Sequence, residues 1–397
     1  MLLKRLLMAV AAFIAAPAVL PALPGGSNDS IQENAAPHPE ISVDAFGDSA
    51  GHWRHITNPH AVIQPRPDCP VYPPASIREI AANILLFQRS NGGWPKNYDM
   101  RAVLTEEEKA SVRATRDARD TTFDNETTHA HVAYLAKAST LLCEPGYRAA
   151  VERGIDFILS AQMPNGGWPQ SWPAPEGFAA FITFNDRVMA GNLTVLRDAA
   201  NGANGFAWLD TARREKCRDA VARGIACVLA CQYRTADGKL TGWGQQHNPQ
   251  TLRPDHARSF EPPCICSEDT AGIVRFLMKI EKPSPGIIHA VKSAAAWLDA
   301  VKIAGRRVET STSTPAVFPW HKTDQDKRIV DDPSAPPLWA RMYEMETNRP
   351  FFCGVDGVKV YTFAEVDRDR RTGYNWHGYW PAEVLGQDYP AWLKAHP

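Results

Sequence analysis

Three tryptophans set a period that restricts the fold more than any other feature of the chain. Trp94, Trp168 and Trp243 lie 74 and 75 residues apart, and each follows a glutamine: Gln88, Gln162 and Gln232. The first two copies read QRSNGGWPKNYDM and AQMPNGGWPQSWP, and Arg-Gly-Ile precedes the second and third Gln at 153–155 and 223–225. Such a period accommodates two helices and their connections. One helical hairpin cannot bury its apolar faces alone, so neighbouring units must stack.

Between these motifs the apolar residues recur at helical spacing. Ile77, Ile80, Ile84 and Leu85 run up to Gln88, behind a Ser76 cap with Glu79 three residues on. Helical pairs follow at 127–142 with 147–162, 186–201 with 215–232, and 267–280 with 287–303. Alternation suited to strands is scarce. The expected fold is all-α: an (α/α) toroid of repeated helical hairpins with long irregular loops, holding three units and a fourth around 290–303. Within it the Gly pair turns the chain off a helix end, Trp covers the seam between hairpins, and Gln bonds freed backbone groups. The motif then reads as architectural, with direct ligand contact by Trp94 or Lys96 as the alternative.

The two ends bound the rest. MLLKRLLMAVAAFIAAPAVLPALPGG has two early cations and a short apolar run among small residues, the pattern of an export signal over 1–24. No other stretch approaches the roughly 20 apolar residues of a membrane helix. Residues 25–74 are Pro-rich and polar and are expected to be extended or disordered; 75–397 form the folded domain. Lys and Arg number 43 against 44 Asp and Glu, a balance that advertises neither a nucleic-acid nor a membrane surface. Eight Cys in an exported chain permit disulfides or buried thiols, without zinc-knuckle spacing.

Chemistry is concentrated in two places. Asp124 in TTFDNETT and Asp186 in ITFNDRVM each follow a Thr-Phe pair and sit beside an Asn. Either alone reads as a helix N-cap worth about 1 kcal/mol. Together, at matching places in successive units, they face one end of the fold. Two carboxylates with amide oxygens make a hard-cation site, suited to Ca²⁺ rather than Zn²⁺. In the C-terminal third Arg341, Arg349, Arg370 and Arg371 are interspersed with Tyr and Trp, and Arg258 sits in DHARSFEPPCICSED. Solvated surface arginines are the plain reading. Arg beside aromatics in an irregular stretch also suits bidentate recognition of carboxylated sugars.

NGGWPKNYDM, FDNETT, ITFND, PLWARMYEMETNRP and DRRTGYNWHGYWP together resemble the family 10 polysaccharide lyases, the (α/α)-toroid pectate lyases of bacteria, in order from Ile77 to Pro381. The resemblance implies a secreted or periplasmic monomer that cleaves polygalacturonate by Ca²⁺-assisted β-elimination. It implies Asp124 and Asp186 as calcium ligands, and Arg258 and Arg341, with Lys96, Trp94 and Arg370, on the substrate side. In the family the base is an arginine. Where the family loop reads Gly-Arg-Asp-Gly, this chain has Gly354-Val355-Asp356-Gly357. Arg349 in TNRP is therefore the catalytic candidate. The alternative is a Ca²⁺-dependent uronate-binding protein that has lost turnover. RGIDFILSAQMPNGGW also resembles the Gln-Trp repeats of terpene cyclases, but no run of clustered aspartates accompanies it.

Overall fold

The computed structural model describes residues 40–56, 58–319 and 321–396. The expected signal peptide and residues 25–39 lie outside them. Helices α1 (Gly47–His55), α2 (Ile77–Phe87), α3 (Glu106–Ala114), α4 (His129–Leu142), α5 (Pro145–Ser160), α6 (Val188–Asn201), α7 (Thr211–Cys231), α8 (Ser267–Met278), α9 (Pro285–Ala300) and α10 (Arg368–Gly373) carry most of the core. Three antiparallel hairpins, α4/α5, α6/α7 and α8/α9, stack side by side. Helices α4, α6 and α8 pack in one row, and α2, α5, α7 and α9 in the other.

The Gln-Trp motif joins the second row. Gln88 Nε2 donates to Gly92 O and, across the seam, to Ala150 O, each at 2.9 Å. Gln162 repeats this to Gly166 O and Ala220 O, and Gln232 to Thr241 O and Ala290 O. Each Gln thus ties one helix end to the next helix of its row. The indoles of Trp94, Trp168 and Trp243 are fully buried and donate to Ile84 O, Ile158 O and Val228 O. Gly154 and Gly224 of the Arg-Gly-Ile segments lie under Trp94 and Trp168, where a Cβ would come within 3.0 Å of each ring. Gly92, at φ +96°, leaves no room for a side chain, since a Cβ would stand 2.3 Å from Arg153 O.

Three expectations change. From residue 40 onward the Pro-rich segment is neither extended throughout nor outside the fold. Helix α1 buries Phe46, which precedes it, and its own Ser49 and Trp53 along one face, and Ile41 and Ile63 join the same core. Nine residues are too few for a periodicity argument to detect. Strands also exist: β1 (Ile182–Thr183), β2 (Gln246–His247) and β3 (Pro254–Asp255) form a small antiparallel sheet among the loops, and β4 (Ile265–Cys266) pairs with Met342–Tyr343. The long hairpin β5 (Arg306–Val317) and β6 (Lys322–Asp331) exposes both faces, so it shows no apolar alternation. Its β-branched run Val308, Thr310, Thr312, Thr314 was the available signal. Ser76 precedes α2 without a side-chain capping bond. All eight cysteines are free thiols.

Candidate active site

The loops entering α4, α6 and α8 are held by one repeated bond. Thr122 N, Thr183 N and Cys266 N donate to the carbonyls of Trp94, Trp168 and Trp243 at 3.0, 2.9 and 2.8 Å. Counting two residues on from each gives Asp124, Asn185 and Glu268, and three on gives Asn125, Asp186 and Asp269. The two aspartates therefore occupy adjacent repeat positions, with amide and carboxylate exchanged, and a third acidic pair follows in the next unit. Neither aspartate is an N-cap of α4 or α6. Asp186 lies in a left-handed conformation (φ +49°), and Asn125, Glu126 and Thr128 also have positive φ. Non-glycine residues adopt it at a cost of about 1–2 kcal/mol. Clusters of such strain mark functional turns.

These loops line a cleft of about 760 Å³. Lys96 forms an ion pair with buried Asp124. Burial works against ionisation of Asp124, but the Lys96 ammonium prevails and holds it below the usual carboxylate range. Enclosure and the neighbouring Asp124 charge push Asp186 well above that range. Asn125 donates to His52 Nδ1 at 2.5 Å and to Asn97 Oδ1 at 2.7 Å. His52 belongs to α1, whose Asp48, Gly51, His52 and His55 recur at helical spacing along one wall of the cleft.

Across from them stand the arginines. Arg341 is buried, donates to Asn185 Oδ1 at 2.9 Å, pairs with Glu268 at 2.7 Å and lies over the Tyr374 ring. Arg258 grips Glu261 through Nε (2.6 Å) and Nη2 (2.5 Å) and rests on Phe260, yet half of its side chain is exposed. Burial opposes its charge, but Glu261 raises its pKa further above the ordinary arginine value. Arg370 packs on the same Phe260 ring and pairs with Asp369.

The cleft thus gathers Asp124, Asp186, Lys96, Arg258, Arg341 and Arg370. It does not gather the other two sequence candidates. Trp94 is fully buried beneath the seam and cannot meet a ligand. Arg349 lies outside the cleft lining, its guanidinium 3.5 Å from the centre of the Tyr361 ring. Sequence reasoning missed His52, Glu261 and Glu268; only Glu268 had a signal, in the extension of FDN and FND to the third unit.

Oxygens dominate the acidic corner. Asp124 Oδ1, Gln170 Oε1 and Gln246 Oε1 are buried without a hydrogen-bond partner, and all three residues line the cleft. Among the described residues no group of three His, Cys, Asp or Glu is arranged to hold a metal. Two carboxylates with spare amide oxygens fit a hard, oxygen-seeking cation that takes further ligands from water or substrate, and do not fit zinc.

A helical-hairpin scaffold that gathers carboxylates and arginines in one cleft forms a site suited to a ligand carrying carboxylates. Residues 88–385 match the pectic acid lyase family. No curated protein matches the chain. Among solved structures it is similar to the family 10 polysaccharide lyase of Cellvibrio cellulosa, at 26% identity and a TM-score of 0.68 over 90% of this chain and 100% of that one. It is equally similar to a mutant of a family 10 polysaccharide lyase from the same organism in complex with trigalacturonic acid, at 25% identity and a TM-score of 0.67 over 89% and 99%. The chain belongs to the pectic acid lyase family and is a polysaccharide lyase.

Proposed function

We propose that this lyase is exported and cleaves polygalacturonate by calcium-assisted β-elimination, leaving a 4,5-unsaturated uronate at the new non-reducing end. The stacked hairpins are read as an (α/α) toroid, and the enzyme as a monomer. The observation that carries the reading is the meeting, in one cleft, of the Asp124–Asp186 pair with three arginines that are already oriented. The C5 proton of galacturonate lies α to a carboxylate, so its removal places a second negative charge on that group. Asp124 and Asp186 would hold Ca²⁺, which supplies Lewis-acid neutralisation of that charge.

The chain's own groups account for the rest. Arg341, fixed by Glu268 and Asn185, and Arg370, fixed by Asp369, present rigid cationic donors to substrate carboxylates. Arg258 takes the arginine-base role in place of Arg349, being the most exposed of the three cleft arginines: half exposed, against 9% for Arg341 and 6% for Arg370. Glu261 keeps it cationic in the free site. The base role therefore requires alkaline conditions or a substrate-induced loosening of the Glu261 grip. Val355 is exposed and is not among the cleft-lining residues, while its loop packs through Gly357 beside Ser259, next to Arg258.

The test is incubation with polygalacturonate, with calcium and with chelator, following the ultraviolet absorbance of the unsaturated product. A calcium-dependent rise is expected. Binding of oligogalacturonate without any product across neutral to alkaline pH would overturn the reading.

A further inference from the structure

No described residue of the β5–β6 hairpin is fully buried, yet its far end reaches the cleft. Twelve residues of β5 at roughly 3.3 Å each span about 40 Å, enough to carry the chain from the end of α9 to the site. His321 and Lys322, at the tip, line the cleft.

The tip is anchored there. His321 Nε2 lies 3.0 Å from Thr372 Oγ1 and its Nδ1 3.3 Å from the Asp369 carboxylate. That carboxylate also holds Arg370, whose buried Nε has no partner. Arg371 of α10 grips Asp326 of β6 through two bonds of 2.8 Å, and Arg368 donates to Gln325 O and Thr314 O. The hairpin's arginines, Arg306, Arg307 and Arg328, are all paired with carboxylates. Exposed Lys322 takes part in no ion pair among the described residues.

We infer that the hairpin tip is an outlying subsite of the cleft, in which Lys322 receives the carboxylate of a uronate residue beyond those held at the acidic corner. His321 and Asp369 position the tip against Arg370. A polyuronate carries one carboxylate per sugar, so an unpaired cation fixed at the rim favours longer chains over short ones. The inference rests on polygalacturonate being the substrate.

The experiment compares binding of hexagalacturonate and trigalacturonate by calorimetry in chelator, for the wild-type enzyme, Lys322→Ala and Lys322→Arg. One exposed ion pair is worth up to about fivefold in affinity. Lys322→Ala should weaken hexagalacturonate binding by about that factor and flatten its salt dependence, leave trigalacturonate unchanged, and be rescued by Lys322→Arg. Equal effects on both lengths, or none, overturn the subsite. A wild-type enzyme that releases unsaturated product while Lys322→Ala matches it in hexagalacturonate affinity sinks the subsite alone. A wild-type enzyme that neither binds either oligomer nor releases product sinks the substrate reading and the subsite with it.

Discussion

Asp124 and Asp186 share one corner of the cleft with their acidities driven apart: against burial, the Lys96 ammonium holds Asp124 below the usual carboxylate range, while burial and the Asp124 charge push Asp186 above it. The pair behaves as a unit, so neither residue is dispensable. Asp124→Asn and Asp186→Asn should each remove the calcium dependence and lower activity by about 100-fold or more. A calcium titration of product formation checks this. Full calcium-dependent turnover in either variant would falsify the metal assignment.

Arg258 and Arg349 separate the cleft from its surroundings. Arg258→Ala should lower kcat by about 100-fold or more while KM moves little, because the lost interaction belongs to the transition state. Arg349→Ala removes a guanidinium that covers Tyr361 outside the cleft, and initial rates should stay within about twofold. The reverse pattern in steady-state kinetics would return the base role to Arg349.

The seam between hairpins should respond to single atoms. In Gly154→Ala the new Cβ would stand 2.4 Å from Val132 Cγ2 and 3.0 Å from the Trp94 ring. Overpacking of this kind costs about 1–3 kcal/mol. Gln88→Ala removes the donor to Gly92 O and Ala150 O and the acceptor for Arg153, with a loss of about 1–3 kcal/mol. Urea unfolding midpoints measure both, and an unchanged midpoint would show that the Gln-Trp seam does not hold the repeats together.

Asp269 should make stability depend on pH. Burial, with Glu268 adding and Arg341 opposing, raises it from the ordinary 3.8 to about 7. Well below pH 3.8 it is protonated whether the chain is folded or not. As pH rises towards 7 the unfolded chain gives up the proton first, so the folded state is increasingly penalised, by no more than about 4 kcal/mol. The stability advantage of Asp269→Asn should grow from pH 4 to 7 and level off above. An advantage that stays constant over that range would place Asp269 in its ordinary titration range.

The helices and the seam were legible because both are local or periodic. Each α4–α9 segment shows its apolar stripe, and the 74- and 75-residue spacing of Trp94, Trp168 and Trp243 announces stacked hairpins. Asp124 and Asp186 were legible for the same reason, although the bond from Thr183 to Trp168 shows that their positions are offset by one. His52 and Glu261 were not legible. The first enters from a nine-residue helix in a Pro-rich stretch, and the second is defined by its fork with Arg258.

By itself, then, the sequence determined the hairpin repeat, the acidic pair and the family, since each is written as spacing or as an ordered set of motifs. Only the tertiary structure decided which cations face the acidic corner. Trp94, Arg349 and Val355 sit within ligand-like motifs, yet packing buries the first, Arg349 covers Tyr361, and neither Arg349 nor Val355 is among the cleft-lining residues. Arg258, Arg341 and Arg370, up to 112 residues apart in the chain, converge on one cleft, where Glu261, Glu268 and Asp369 each hold one of them. Local sequence can pair Arg258 with Glu261 and Arg370 with Asp369, but bringing the three guanidinium groups to one cleft takes long-range packing, which leaves no period in the sequence.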